Sequence, residues 1–322
     1  MTDNNLDLCL ENEQKEISVQ DKVSRVKNYI NKSLSASTRK FYRIDFIIFC
    51  TWCDSNSFIA LPAEPETIAL FISEQADSGI KPATLCRRLA AIRMAHTTHG
   101  FINPTQHIDV KLVLKGIKNE KGTSQDKKAP LTAERLESII AHCPDNIIGH
   151  RDRALLILGF SGAFRRSELV ALTLNDIERT PEGIKVIIRK SKTDQEGKGQ
   201  TIAILNGNRF RAVDVLYKWL VMANITNGHL FRSIRRGGHV QEAVLSDNAV
   251  AVIIKSYASK AGLTIDNFSG HSLRSGFITS GAQSGADLYK LMEVSRHKRA
   301  ETLIGYIRES KLFENHAGAK FV

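Results

Sequence analysis

The stretch Gly162-Ala163-Phe164-Arg165-Arg166-Ser167-Glu168-Leu169 decides how the rest of the chain is read. It lies between two predicted helices, near Gly149–Phe160 and Ser167–Leu172. Arg165 opens the second of these, with Glu168 three positions along and on the same side. Alone, the pair reads as an ordinary helix ion pair, so its meaning depends on what surrounds it. Just downstream the periodicity changes. Two β-branched runs, Ile184–Ile188 and Thr201–Ile204, flank a polar turn at Asp194–Gly199 and predict a hairpin. Helical spacing then returns at Arg211–Val221, Asp247–Ala261, Ser272–Gln283, Leu288–Val294 and Ala300–Ile307.

Upstream, a helix is predicted near Thr132–His142. The Lys-, Gly-, Ser- and Asp-rich segment Asn119–Pro130 reads as an exposed linker. Before it the pattern is helical throughout. Ser37 or Thr38 caps a helix whose stripe Tyr42, Phe46, Phe49, Cys53 has helical spacing, and Ile44, Ile47 and Ile48 suggest that a second face is buried. Further helices are predicted over Glu66–Gln75, after Pro62 and Pro65, over Ala83–Thr97 and over Val110–Lys118. The third helix carries Arg87, Arg88 and Arg93 among Leu85, Leu89, Ile92 and Met94, so it can bury one face and offer arginines to DNA. The domain reading is therefore a flexible acidic tail at 1–20, a helical domain at 21–118, a linker at 119–130 and a mixed α/β domain at 131–322. The fold class is mainly α with a small β-sheet.

At 322 residues and 42% hydrophobic composition the chain has enough material for two cores. Its net charge of +11 suits a polyanionic partner. Residues 1–20 hold five acids and one lysine, whereas 21–130 and 131–322 are both basic, at +7 and +8. Both blocks can therefore face nucleic acid. No hydrophobic run approaches the ~20 residues that span a bilayer, and a cytoplasmic protein with no membrane partner is expected. Five cysteines, Cys9, Cys50, Cys53, Cys86 and Cys143, fit reduced thiols. The pair Cys50 and Cys53 with His96 and His99 lacks zinc-finger spacing, so buried structural cysteines are expected and no metal.

No Walker A loop, HExxH or GxSxG motif is present, which removes the usual signatures of nucleotide hydrolysis, zinc proteolysis and α/β-hydrolase chemistry. What remains is a dispersed set of basic groups and a tyrosine. Breaking a DNA phosphodiester without a metal requires cations on the non-bridging oxygens, an acid for the leaving 5′-oxygen and an in-line nucleophile. Arginine meets phosphate bidentately, lysine or histidine supplies protons, and a tyrosine hydroxyl attacks where cations favour the phenolate. Such groups occur in Gly162–Leu169, in His271-Ser272-Leu273-Arg274, and in His297 followed nine residues later by Tyr306.

Taken together and in order, GAFRRSELVAL at 162–172, Lys190-Ser191-Lys192-Thr193, SGHSLRSG at 269–276, Arg296-His297 and Tyr306 in GYIRES at 305–310 resemble the tyrosine recombinase (phage integrase) family. The AEPET segment at 63–67 is similar to one in Cre-like members. The resemblance implies a helical N-terminal DNA-binding domain and a mixed α/β tyrosine-recombinase catalytic domain. It implies that Arg165 and Arg274 clamp the scissile phosphate, Glu168 supports the site, His271 exchanges a proton with the nucleophile, and His297 contacts the phosphate. Lys192 is implied as the acid, with Lys190 as the competing assignment, and Tyr306 as the nucleophile forming a 3′-phosphotyrosine. Arg165 is favoured over Arg166 on its spacing to Ser167-Glu168-Leu169, and Phe164 stands where leucine is common. The implied partners are double-stranded DNA with a specific recombination site and a homotetramer on two duplexes, with no cofactor. The implied task is integration or excision of a mobile element. Type IB topoisomerase-like strand relaxation shares this chemistry, and a catalytically inactive DNA-binding protein is the remaining alternative.

Overall fold

Helix α1 (Ala36–Ser55) starts at Ser35, whose hydroxyl accepts the Thr38 amide at 3.1 Å as an N-cap should. In the computed structural model the described residues are 24, 25, 28, 29, 33–123, 128–189 and 199–310, with side chains as far as 307. The chain divides into two units, Met1–Gln125 and Asp126–Val322. None of the described helices is long and apolar enough to cross a membrane.

In the first unit α1 is followed by α2 (Pro65–Asp77), α3 (Pro82–Thr98) and α4 (Ile108–Lys121). Prolines at the start of α2 and α3 sit where the first turn leaves amides unbonded anyway, so they initiate these helices without breaking them. The core joins Phe49 and Cys53 of α1, Ile68, Phe71 and Ile72 of α2, Leu85 and Ile92 of α3, and Val110 and Ile117 of α4. Phe49 and Phe71 meet edge-on at 5.1 Å, and each fully buried ring contributes about 1.5–3 kcal/mol. The predicted stripe is thus buried at Phe49 and Cys53 and half-buried at Tyr42 and Phe46. The second face is not: Ile44 and Ile47 are 42% and 53% exposed, and only Ile48 of that set packs on the core. His96 lies in the interior, its Nδ1 donating to the Ile92 carbonyl and its Nε2 accepting the Ala63 amide.

The second unit is built around α6 (Ile147–Ser161), whose Leu155, Leu156, Ile157 and Leu158 are all buried. Apolar on nearly every side, it must be central, and α5 (Ala133–Ala141), α8 (Ala212–Met222) and α10 (Ser272–Gln283) pack against it or beside it. After α7 (Arg166–Ala171) come β1 (Ile177–Arg179), β2 (Gly183–Ile188) and β3 (Gln200–Leu205), an antiparallel sheet in that order. Ile184 faces Ile204 and Val186 faces Ile202 across β2 and β3, so the predicted hairpin pairs its inward residues. Most of its expected turn, together with Lys190 and Lys192, falls outside the described residues.

A second hairpin, β4 (Arg232–Ile234) and β5 (Val240–Val244), follows α8. Nothing in the periodicity announced it, because its strands are short, irregular in register and without a buried face. The unit continues through α9 (Asp247–Lys260), α10, α11 (Leu288–Ser295) and α12 (Ala300–Ser310). A satellite core of Ile278, Ala282, Leu291 and Leu303 binds the last three helices together. Leu131, just inside the unit, crosses α10 so closely that its amide donates to the Ser272 carbonyl at 2.9 Å.

Candidate active site

The deciding stretch folds as a tight connection between α6 and α7. α6 ends at Gly162, and Ala163 then takes a left-handed backbone (φ 45°), which turns the chain and buries Phe164. Arg165 is the N-cap of α7, and Glu168 reaches back so that Oε2 accepts the Arg165 amide at 3.0 Å. The other oxygen, Oε1, accepts from Nη1 of Arg165 at 2.5 Å. Glu168 therefore secures both the start of the helix and the direction of the Arg165 side chain. Arg166 turns away toward α9, with Nη1 3.4 Å from Asn248 Oδ1.

Arg274 enters from α10, almost wholly buried, and its Nη1 donates to the Ala163 carbonyl at 2.8 Å. Its Nη2 lies 3.3–3.4 Å from the ring nitrogens of His297, just beyond the end of α11. Ser295 donates its hydroxyl proton to the Leu291 carbonyl at 2.5 Å, so its oxygen accepts at 2.8 Å from His297 Nδ1. That assigns the ring proton to Nδ1 and leaves Nε2 as the acceptor atom. Tyr306 stands half-buried on α12, packed on the satellite core, and lies within electrostatic reach of Arg274.

A further arginine joins them. Arg296, 5% exposed, donates from Nη1 to the carbonyls of Gly162 at 2.9 Å and Val294 at 2.6 Å. Its Nη2 donates to the Ala163 carbonyl and to Glu168 Oε2, both at 2.9 Å. Its guanidinium lies 5.2 Å from the centre of the Phe164 ring. In the sequence this residue entered only within the Arg296-His297 pair of the family resemblance, with no role of its own assigned to it.

The electrostatics reflect this crowding of cations. Burial, and then the like charges of Arg165 and Arg296, push the Arg274 guanidinium down to about 9. Burial, and then Arg274, Arg165 and Arg296, push the His297 imidazole down to about 4. For Glu168, burial favours the neutral acid, yet Arg296 and Arg165 outweigh it and hold the carboxyl below its ordinary value. Such a cluster is short of negative charge, the condition that an incoming phosphate relieves.

Of the residues singled out in the sequence, Arg165, Glu168, Arg274 and His297 thus meet in one network with Tyr306 nearby. His271 is the N-cap residue of α10, exposed and one turn before Arg274. Lys192 and its competitor Lys190 lie outside the described residues. In the first unit, Arg93 is exposed, while Arg87 makes a fork with Asp45 at 2.7 and 3.0 Å. Arg88 departs from the expected exposed face. It shares the buried side of α3 with Leu85 and Ile92, bonded to Gln75 and above the Phe71 ring, because the i+3 spacing from Leu85 turns it inward. Cys53 and Cys143 are buried, and Cys50 and Cys86 half-buried. No group of three or more metal-ligating side chains occurs among the described residues.

Comparison with known proteins identifies the family and the fold. Residues 130–312 match the phage integrase family. An integrase/recombinase xerD homolog of Selenomonas ruminantium is 40% identical over 300 residues, covering 91% of this chain and 87% of the relative. Recombinase cre of Escherichia phage P1 is 24% identical, covering 81% and 80%. Among solved structures, the XerH site-specific recombinase bound to palindromic difH substrate in a post-cleavage complex aligns with a TM-score of 0.61. Its identity is 20%, and the alignment covers 80% of this chain and 72% of that one. The Tn1549 transposon integrase in complex with transposon right-end DNA aligns with a TM-score of 0.62 at 14% identity, covering 88% and 92%. At such identities the two structures speak for the fold, while the family match and the Selenomonas relative speak for descent. The chain belongs to the phage integrase family, the tyrosine-type site-specific DNA recombinases.

Proposed function

We propose that this recombinase opens a DNA strand by in-line attack of the Tyr306 phenolic oxygen on the scissile phosphorus. A new P–O bond to the tyrosine forms as the bond to the 5′-oxygen breaks, leaving a 3′-phosphotyrosine and a free 5′-hydroxyl. The tyrosine proton passes to His271, and the leaving oxygen takes a proton from Lys192, or from Lys190 in the competing assignment. Arg165 and Arg274 clamp the non-bridging oxygens, Glu168 steers Arg165, and His297 contacts the phosphate. Attack by the 5′-hydroxyl of another strand on the phosphotyrosine restores the diester. Because one phosphoester replaces another at each step, rejoining needs no nucleotide.

The observation that carries this reading is the cation-rich cluster of Arg165, Arg274 and His297, with Tyr306 in the electrostatic field of Arg274. The substrate is double-stranded DNA with a specific site, acted on by a homotetramer holding two duplexes, in the integration or excision of a mobile element. A relative described as an integrase/recombinase supports that task. In the first unit, exposed Arg93 and the open edge of Arg87 suit phosphate contacts, whereas buried Arg88 suits holding α3 to α2. Incubation with a nicked suicide substrate carrying the target site should trap a covalent protein–DNA adduct. Tyr306→Phe should bind the same DNA and trap none. An adduct with the phenylalanine variant would move the nucleophile elsewhere.

A further inference from the structure

Arg296 occupies a backbone conformation that side chains avoid. At the C-cap of α11 it has φ 58° and ψ 38°, the left-handed region where glycine is the default. A residue with a long charged side chain persists there only if its contacts compensate. Those contacts point one way. Four hydrogen bonds run to Gly162, Ala163, Glu168 and Val294, and three of these partners lie in or beside the connection that presents Arg165. The Ala163 carbonyl is shared with Arg274, so one oxygen registers two arginines. Ala163 is itself left-handed, and the two strained positions are thus tied to each other. On its other side Arg296 fixes the backbone from which His297 follows directly.

Charge adds to geometry. Arg165 and Glu168 alone form a neutral pair, and a carboxylate so close would blunt the pull of Arg165 on phosphate. Arg296 gives Glu168 a second cation, so that with Arg274 the cluster carries three arginines against one carboxylate. Two positive charges net face the phosphate, whose pentacoordinate transition state bears more negative charge than the bound diester.

We propose that Arg296 is a positioning residue for strand cleavage: it locks Glu168 and the Gly162–Arg165 connection so that Arg165, Arg274 and His297 converge on one phosphate with their charge uncancelled. This rests on the phosphotyrosine reading above, and the test separates the two. Arg296→Gly keeps the left-handed backbone without strain, so the variant should retain its fold and its DNA affinity. Its single-turnover cleavage rate at saturating suicide substrate should fall by about a hundredfold, the scale of an ångström's misplacement at a reacting centre. Glu168→Gln alone should also slow cleavage, because Glu168 steers Arg165, and if Arg296 acts through Glu168 the double variant should be no slower than about the slower of the two single variants. Cleavage by Arg296→Gly at the wild-type rate overturns the inference. So does a double variant whose loss is the sum of the two single losses, since additivity marks Arg296 as acting independently of Glu168. If the wild type itself forms no adduct, the phosphotyrosine reading fails, and carbon-13-detected titration of Glu168 decides the inference without DNA. The carboxyl midpoint should rise in Arg296→Gly, and an unmoved midpoint overturns the positioning role.

Discussion

His297 is neutral in the free protein at physiological pH. Its imidazole, ordinarily near 6.5, is pushed to about 4 by burial and then by Arg274, Arg165 and Arg296. Between those values the unfolded chain binds a proton that the folded chain refuses. The contribution of His297 to stability is therefore complete above about pH 6.5 and is lost as pH falls toward 4. The urea midpoint should drop between pH 7 and pH 5, and His297→Asn should drop less. An equal drop in the variant would assign the effect to other groups. A phosphate oxygen beside Nε2 favours the imidazolium, so bound DNA should move the His297 titration upward. Glu168 acts in the same direction over a lower window: its lowered value stabilises the fold above the ordinary carboxyl range, and that contribution is lost as pH falls below it.

At the scale of elements, α10 is the spine of the site, since Arg274 and His271 both belong to its first turn. Its placement against the 128–133 segment depends on Gly276. A Cβ there would stand 1.8 Å from the Leu131 carbonyl oxygen and 2.4 Å from its carbon. Backbone must then move, and with it the register between the two segments. Gly276→Ala should destabilise the unit by about 1–3 kcal/mol, the usual range for overpacking. Each kcal/mol lowers Tm by about 2–4 °C in a domain of this size. Gly270 offers the contrast. The atoms nearest a Cβ there are Cδ, Cγ and Nε of the Arg166 side chain, at 1.7–2.6 Å, rather than backbone, so a new Arg166 rotamer relieves the clash and Gly270→Ala should melt closer to wild type than Gly276→Ala. Equal melting temperatures for all three proteins would show that the crossing at Leu131 has slack.

For the whole molecule, charge and assembly set the expectations. The net +11 is spread over both halves of the chain, as needed to grip a polyanion from more than one side. Residues 311–322 lie outside the described residues but carry Leu312, Phe313, Ala317, Ala319 and Phe321. If the proposed tetramer uses this segment between protomers, deleting 311–322 should weaken assembly on DNA more than binding to a single site. Sedimentation of wild-type and truncated complexes on the same duplex measures the difference, and equal tetramer formation would remove the segment from the interface.

The order of chemical groups along the chain, the helical spacing of α1 to α4 and the alternation in β2 and β3 were legible without coordinates. Each is a local property: a proline at a first turn, a stripe of apolar residues or a motif read in sequence, whereas the cap of α1, expected at Ser37 or Thr38, lies at Ser35. What lay beyond the sequence were relations across distance. Whether Arg88 faces DNA or the core depends on Phe71 and Gln75 of another helix, and the β4–β5 hairpin has no buried alternation to announce it. Arg296 is the sharpest case. Its partners Gly162, Ala163 and Glu168 lie 128–134 positions earlier, and only folding puts a left-handed arginine beside them. The stretch 162–169 named a candidate phosphate clamp only when read with the motifs that follow it in order. Tertiary structure decided what holds that clamp, because the burial and charge that orient Arg165 come from helices that no local pattern connects.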